Sequence, residues 1–140
     1  MVSLKFSLIC DEVRREDNGK LLIIGLYLPD IVVPQLPFVL SSLTLFLSLE
    51  SDTSGHAGFH LRLQRLETGQ NLVETRGGMV FQRPGQAVSH LKFANVQFVA
   101  AGAYNFILDV DGQPDPIIIG FNVILNVPEQ RSLQNPPMPR

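Results

Sequence analysis

The sequence predicts an all-β fold, an antiparallel immunoglobulin-like β-sandwich of about eight strands. Three observations carry that expectation. Apolar and polar residues alternate with a period of two in segment after segment, the signature of half-buried strands. Turn residues stand between those segments at short intervals. And Gly102-Ala103-Tyr104-Asn105-Phe106 sets a tyrosine at the start of a strand, just after a sharp corner. A tyrosine corner of immunoglobulin-like domains has this form, with the hydroxyl bonding back to the backbone upstream. No segment holds a 3.6-residue period over 11 or more residues, which argues against helices; only residues 37–42 have room for a helical turn.

The elements follow in order. Val2, Leu4, Phe6, Leu8 and Cys10 alternate with Ser3, Lys5 and Ser7, giving a first strand with one apolar face. The charged run Asp11 to Asp17 leads into Asn18-Gly19, a strong hairpin signal because both residues tolerate positive φ. Lys20 to Leu28 is an apolar second strand. Pro29, Pro34 and Pro37 exclude helix and central strand from the stretch that follows. Leu43, Leu45, Leu47 and Leu49 mark a third strand, and Phe59, Leu61 and Leu63 a fourth. Beyond the turn at residues 67–70 come two shorter strands, near 72–75 and 78–82, with Gly77-Gly78 allowing a bend between them. In the strand from Val88 to Phe98 the alternation slips phase, Leu91 and Phe93 on one parity and Val96 and Phe98 on the other, which calls for a bulge or break near Ala94-Asn95. Tyr104, Phe106, Leu108 and Val110 share a face. Asp111-Gly112 turns the chain, and residues 117–127 form the last strand, apolar on both faces at first. The expected organisation is one domain over residues 1–127, then a mobile Pro-rich tail over 128–140 with four of the ten prolines.

Composition narrows the function. Of 140 residues, 45% are hydrophobic and only 17% charged, against roughly 25% in an average soluble domain. Such a chain is not intrinsically disordered. The formal net charge of −2 offers no basic surface for nucleic acid. A single cysteine cannot form an internal disulfide, so the fold does not depend on an oxidising compartment. The first ten residues lack the long apolar run and small-residue cleavage site of a signal peptide. No apolar run approaches the roughly 20 residues of a membrane-spanning helix. The chain therefore reads as cytoplasmic, with no membrane partner.

Motifs that could carry chemistry are few. Cys10 stands beside Asp11 and Glu12, whose charges oppose formation of a thiolate. His56 and His60 lie four apart on a loop running into a strand, where four residues span roughly 13 Å, too far for one metal ion; His90 sits in another strand. Asp109, Asp111 and Asp115 around Gly112 resemble part of a calcium loop but depart from the EF-hand spacing, and Asp111-Gly112 is ordinary turn chemistry. Gly77-Gly78 and Gly55-x-x-Gly58 precede no helix and form no phosphate loop; a Gly-x-Ser-x-Gly elbow is absent. Arg62, Arg65, Arg76 and Arg83 read as solvated strand faces. The prolines near the C-terminus have the form of a polyproline II ligand, but a frayed terminus is the preferred reading. These readings imply no cofactor and no metal.

Seven of the 24 charged residues fall between Asp11 and Lys20. A catalytic reading takes Asp11 and Glu16 as an acid/base pair, with Arg14 holding an anion and Glu12 and Lys20 nearby. The preferred reading is an ion-pair network around a hairpin that fixes strand register.

The same residues carry a resemblance. Leu8-Ile9-Cys10-Asp11-Glu12-Val13-Arg14-Arg15-Glu16, then Gly19-Lys20, Ile24-Gly25-Leu26-Tyr27 and Pro34-Gln35-Leu36-Pro37, resemble the opening of DUF6941, a family of short bacterial proteins of unknown function. The resemblance runs more loosely through Phe98–Gly112, covers most of residues 4–125 and leaves out the chain beyond Val127. It implies a bacterial or phage-borne protein and no activity. Two function classes follow. The first is a non-enzymatic binding or structural module, self-associating or bound to another protein through exposed strand edges or apolar faces. The second is a small ligand-binding sensor or enzyme built on the Asp11–Lys20 cluster. Tyr104, Gly102 and Gly112 are expected to be structural.

Overall fold

A computed structural model describes residues 1–81 and 85–126. The expected tail, residues 128–140, lies outside the described residues. Nine strands form two sheets: β1 (Val2–Arg15), β2 (Leu21–Leu26), β3 (Ile31–Val33), β4 (Phe38–Ser51), β5 (Gly55–Arg65), β6 (Asn71–Phe81), β7 (Gly85–Phe98), β8 (Gly102–Val110) and β9 (Ile117–Leu125). One sheet has the order β2-β1-β4-β7 and the other β3-β9-β8-β5-β6. The chain folds as an all-β sandwich, with no helix among the described residues.

The alternation read from sequence builds the core. Leu43, Leu45, Leu47 and Leu49 of β4 are wholly buried and face Leu61 and Leu63 of β5 and Phe106 and Leu108 of β8 in one apolar cluster. At one end the cluster is aromatic. Phe98 meets Tyr104 edge-on at 5.1 Å, and Tyr104 stacks on Phe121 at 5.8 Å. The Tyr104 hydroxyl donates to the Ala100 carbonyl at 2.6 Å, which pins the corner before β8 as the sequence predicts. Gly102 and Gly112 both take positive φ at the ends of that strand.

Several expectations are corrected. The pairing is antiparallel except between β3 and β9, which run parallel. β3 arises in the Pro-rich stretch because Pro29 and Pro34 flank it, and a sheet edge tolerates them. Residues 38–42 extend β4 and hold no helical turn. β6 is one strand: Gly77 and Gly78 do not bend it, and their missing Cβ atoms make room for the Phe59 ring and the His56 imidazole. In β1 a register shift between Leu4 and Phe6 splits the predicted apolar face. Val2 and Leu4 point inward; beyond the shift Ile9 takes the inner side, and Phe6, Leu8 and Cys10 face outward.

The phase slip near Asn95 is real, but no register shift accompanies it. β4 and β7 stay paired from Phe38↔Phe98 to Ser51↔Gly85. Inward residues step from Leu40 to Leu43 on β4 and from Val96 to Phe93 on β7, so both strands flip at the same level. Asn95 takes φ 54° there, a left-handed conformation that asparagine tolerates better than most residues. The 16–20 hairpin is also tighter in its demands than expected. Only Gly19 has positive φ (85°), and the Gly19 N–H donates to the Glu16 carbonyl at 2.9 Å. That is a type I turn closed by a left-handed glycine.

Candidate functional site

The polar cluster from Asp11 to Lys20 is divided between two faces of β1. Asp11 has the parity of Ile9 and points to the inner side, half-buried. Across from it on β2 stands Gly25 at φ 69°, and a Cβ there would strike the Asp11 carboxylate. The Tyr27 hydroxyl donates to Asp11 Oδ1 at 2.7 Å. Burial, then the hydrogen bond to Asp11 and its charge, push the Tyr27 phenol well above the usual range. β1 leaves β4 just past Cys10, whose last partner there is Thr44. The Asp11 carbonyl is left at that divergence and accepts from the Ser42 hydroxyl at 2.6 Å and the Thr44 hydroxyl at 3.1 Å.

Glu12 points the other way. Its carboxylate pairs with Arg14 at 3.1 Å and with Lys92 of β7 at 3.7 Å. The Arg14 hydrogen bond is the main cause holding the Glu12 carboxyl below its ordinary range. The pair to Lys92 crosses over β4, where Thr44 is small enough to let it pass. Glu16 and Lys20 belong to the hairpin and bond through their backbones, the Glu16 N–H donating to the Lys20 carbonyl at 2.8 Å. Asp11 and Glu16 stand five residues apart along extended chain, roughly 16 Å. The structure thus brings Glu12, Arg14 and Lys92 together and does not bring Asp11 to Glu16. Tyr27, Gly25 and Lys92 are the partners that residue spacing alone did not assign. Cys10, paired across to Leu26 of β2, is wholly buried; burial, then the Asp11 charge, push its thiol up.

The outward face of the four-stranded sheet is apolar at its centre. Phe6 stacks on Phe46 at 6.0 Å, and Leu8, Cys10, Leu26 and Val88 share this side. Phe46, at 7% exposure, is sheltered by its neighbours alone, since no second layer lies over it among the described residues. Glu12, Arg14 and Lys92 form a charged margin. The other sheet's outward face mixes exposed apolar residues, Val80, Ile118 and Ile124 among them, with charge. His60 and Glu74 pair on it, as do Arg62 and Asp109 at 3.1 Å, beside Arg76.

An open cleft of about 600 Å³ lies at one end of the sandwich, lined by Ser51, His56, Gly58, Asp111 and Gln113 among others. The Gln113 side chain clasps the backbone N–H and carbonyl of Val2 there, tying the β8–β9 connection to β1. His56 and His60 are separated, the one lying over Gly78 and the other paired to Glu74. Among the described residues no three His, Cys, Asp or Glu side chains converge on a point where a metal could sit. No helix among them is long and apolar enough to cross a membrane.

Comparison with solved structures finds likeness of fold. The chain is similar to the crystal structure of the C-terminal domain of wzt, with a TM-score of 0.53 and 12% identity over 90% of this chain and 75% of that one. Two structures of β-glucosidase from Listeria innocua, with glucose and with isofagomine, align at 11% and 10% identity and TM-scores of 0.46 and 0.48. They cover 71% and 91% of this chain, which spans only 15% and 16% of theirs. No curated protein matches the chain. The family of unknown function DUF6941 matches residues 5–118, a span that runs from β1 into β9 and takes in both faces of the Asp11–Lys20 segment, and the chain belongs to that family.

Proposed function

We propose that the protein is a non-enzymatic binding module that works through protein contacts made by its four-stranded sheet, self-association first among them. One observation carries this reading. The outward face of that sheet gathers Phe6, Leu8, Leu26 and Phe46, with Phe6 stacked on Phe46 and the Glu12, Arg14 and Lys92 charges at the margin, whereas on the opposite sheet exposed Val80, Ile118 and Ile124 share the outward face with the His60–Glu74 and Arg62–Asp109 pairs. An apolar centre with a polar rim is the anatomy of an interaction surface. The division of the polar cluster between two faces favours this reading over a sensor or enzyme using Asp11 to Lys20.

We also read the sandwich as immunoglobulin-like. Supporting this, β1-β4-β7 and β9-β8-β5-β6 follow the A-B-E and G-F-C-C′ orders of such domains, and the Tyr104 bond falls at the matching corner. The place outside β7, where a fourth strand would lie, is empty among the described residues, and β2 is added outside β1. A cytoplasmic setting agrees with a fold whose lone cysteine is buried and unbridged.

Light scattering over a concentration series tests the proposal. The wild-type mass is expected to rise above the 15.5 kDa of one chain. Leu26→Lys, on the four-stranded sheet, is expected to suppress that rise, and Ile118→Lys, exposed on the opposite sheet, to leave it intact. A wild type that stays monomeric throughout, or a rise abolished by Ile118→Lys and kept by Leu26→Lys, overturns it.

A further inference from the structure

A shallow cleft of about 240 Å³ opens on the outward face of the five-stranded sheet, opposite the sheet proposed to self-associate. The register sets its walls. Ala103 and Asn105 of β8 stand across from Asn122 and Gly120 of β9, and the intervening Tyr104 and Phe121 are buried, so all four positions face out. Asp30 comes one residue before Ile31, which is buried and pairs with Val123. Asp30 therefore stands beside Asn122 on the same outward side. Ala103 and Gly120 are small and leave room between the polar side chains. The Asn105 amide oxygen leans into that room, since a Cβ at Gly120 would lie 3.1 Å from it. Ile118, 57% exposed, is the next outward residue of β9 beyond Gly120.

We infer that this cleft binds a neutral sugar, a pyranose ring lying over Gly120 with its hydroxyls toward Asp30, Asn105 and Asn122 and a C–H face toward Ile118. The three polar side chains make no hydrogen bond or ion pair among the described residues, so their capacity is open to a ligand. A hydroxyl both donates and accepts; an Asn amide offers both in return, and a carboxylate accepts from two hydroxyls at once. Charge selects against other ligands. No Lys or Arg lines the cleft to offset an anion, and Asp30 repels one. One carboxylate is too little charge to hold a divalent cation such as calcium, which gathers roughly six to eight oxygens. A purely apolar ligand would take water from three polar groups and leave them unsatisfied. A pyranose presents both chemistries, hydroxyls at its rim and C–H bonds on its face. The cleft is shallow and covers a single ring, so binding is weak, in the millimolar range.

Amide NMR of isotope-labelled protein tests the site. The methyl glycosides of glucose, galactose, mannose and N-acetylglucosamine are titrated separately at millimolar concentration. At least one is expected to shift the Asn105 and Asn122 side-chain amides and the Gly120 backbone amide to saturation, where glycerol, which has hydroxyls and no ring, does not. Asp30→Ala is expected to weaken that glycoside's binding about tenfold, the loss of a hydrogen bond to a charged group, with the thermal midpoint unchanged. Four glycosides that leave these amides unmoved overturn the site, as does Asp30→Ala that binds as tightly as wild type. Calcium chloride that shifts the same amides where the glycosides do not assigns the cleft to a cation and overturns it as well.

Discussion

Two tyrosine hydroxyls do distinct jobs. Tyr104 is fully buried and its hydroxyl satisfies a backbone carbonyl at the corner before β8. Tyr104→Phe is expected to destabilise the fold by about 1 kcal/mol, the net contribution of one such bond, and a urea titration reads it. Tyr27 instead serves a carboxylate. Its phenol is held protonated by burial and by Asp11, so its folded pKa lies above the ordinary 10.0. The stability this confers is present in full below pH 10 and is lost as the pH rises beyond it, because the unfolded chain gives up the proton first. Burial raises the Cys10 thiol above 9.0 and acts in the same direction. Urea midpoints are therefore expected to fall on going from pH 9 to pH 11. Tyr27→Phe is expected to lower the midpoint at neutral pH and to make the alkaline decline shallower. An equally steep decline in the variant would remove Tyr27 from its cause.

At the scale of elements, the β4–β7 pair carries its irregularity in both strands at once, and Asn95 supplies the left-handed residue this needs. Asn95→Gly is expected to be near neutral and Asn95→Val to cost about 1–2 kcal/mol, compared by thermal unfolding. The elements also show what the sequence makes legible. β5 and β8 alternate without interruption, and their buried residues are those the period of two picks out. β1 alternates just as cleanly on paper, yet the shift after Leu4 turns Phe6, Leu8 and Cys10 outward, because a bulge adds a residue without marking the pattern. β6 reads as two strands because a Gly-Gly pair looks like a bend, when the space over Gly77 and Gly78 is filled by side chains from β5. The Asp11–Tyr27 bond depends on the register of the β1–β2 hairpin and the Glu12–Lys92 pair on the order of strands in the sheet, and residue spacing alone gives neither.

Seen as a whole molecule, the low charge content is distributed with consequence. The outward face of the five-stranded sheet carries the His60–Glu74 and Arg62–Asp109 pairs, while the centre of the four-stranded face, around Phe6, Leu8 and Phe46, carries no charge. A sandwich whose core is already closed between its two sheets has no internal use for Phe6, Leu22, Leu26 and Val88 on the outside. The measurement that bears most directly on this is amide hydrogen exchange at low and high protein concentration. Slower exchange at high concentration is expected within residues 8–26, which hold β2 and the part of β1 beside it, and unchanged exchange over β5, β6 and β8. Exchange that does not depend on concentration anywhere, or protection confined to the five-stranded sheet, would contradict an interaction surface on the four-stranded sheet.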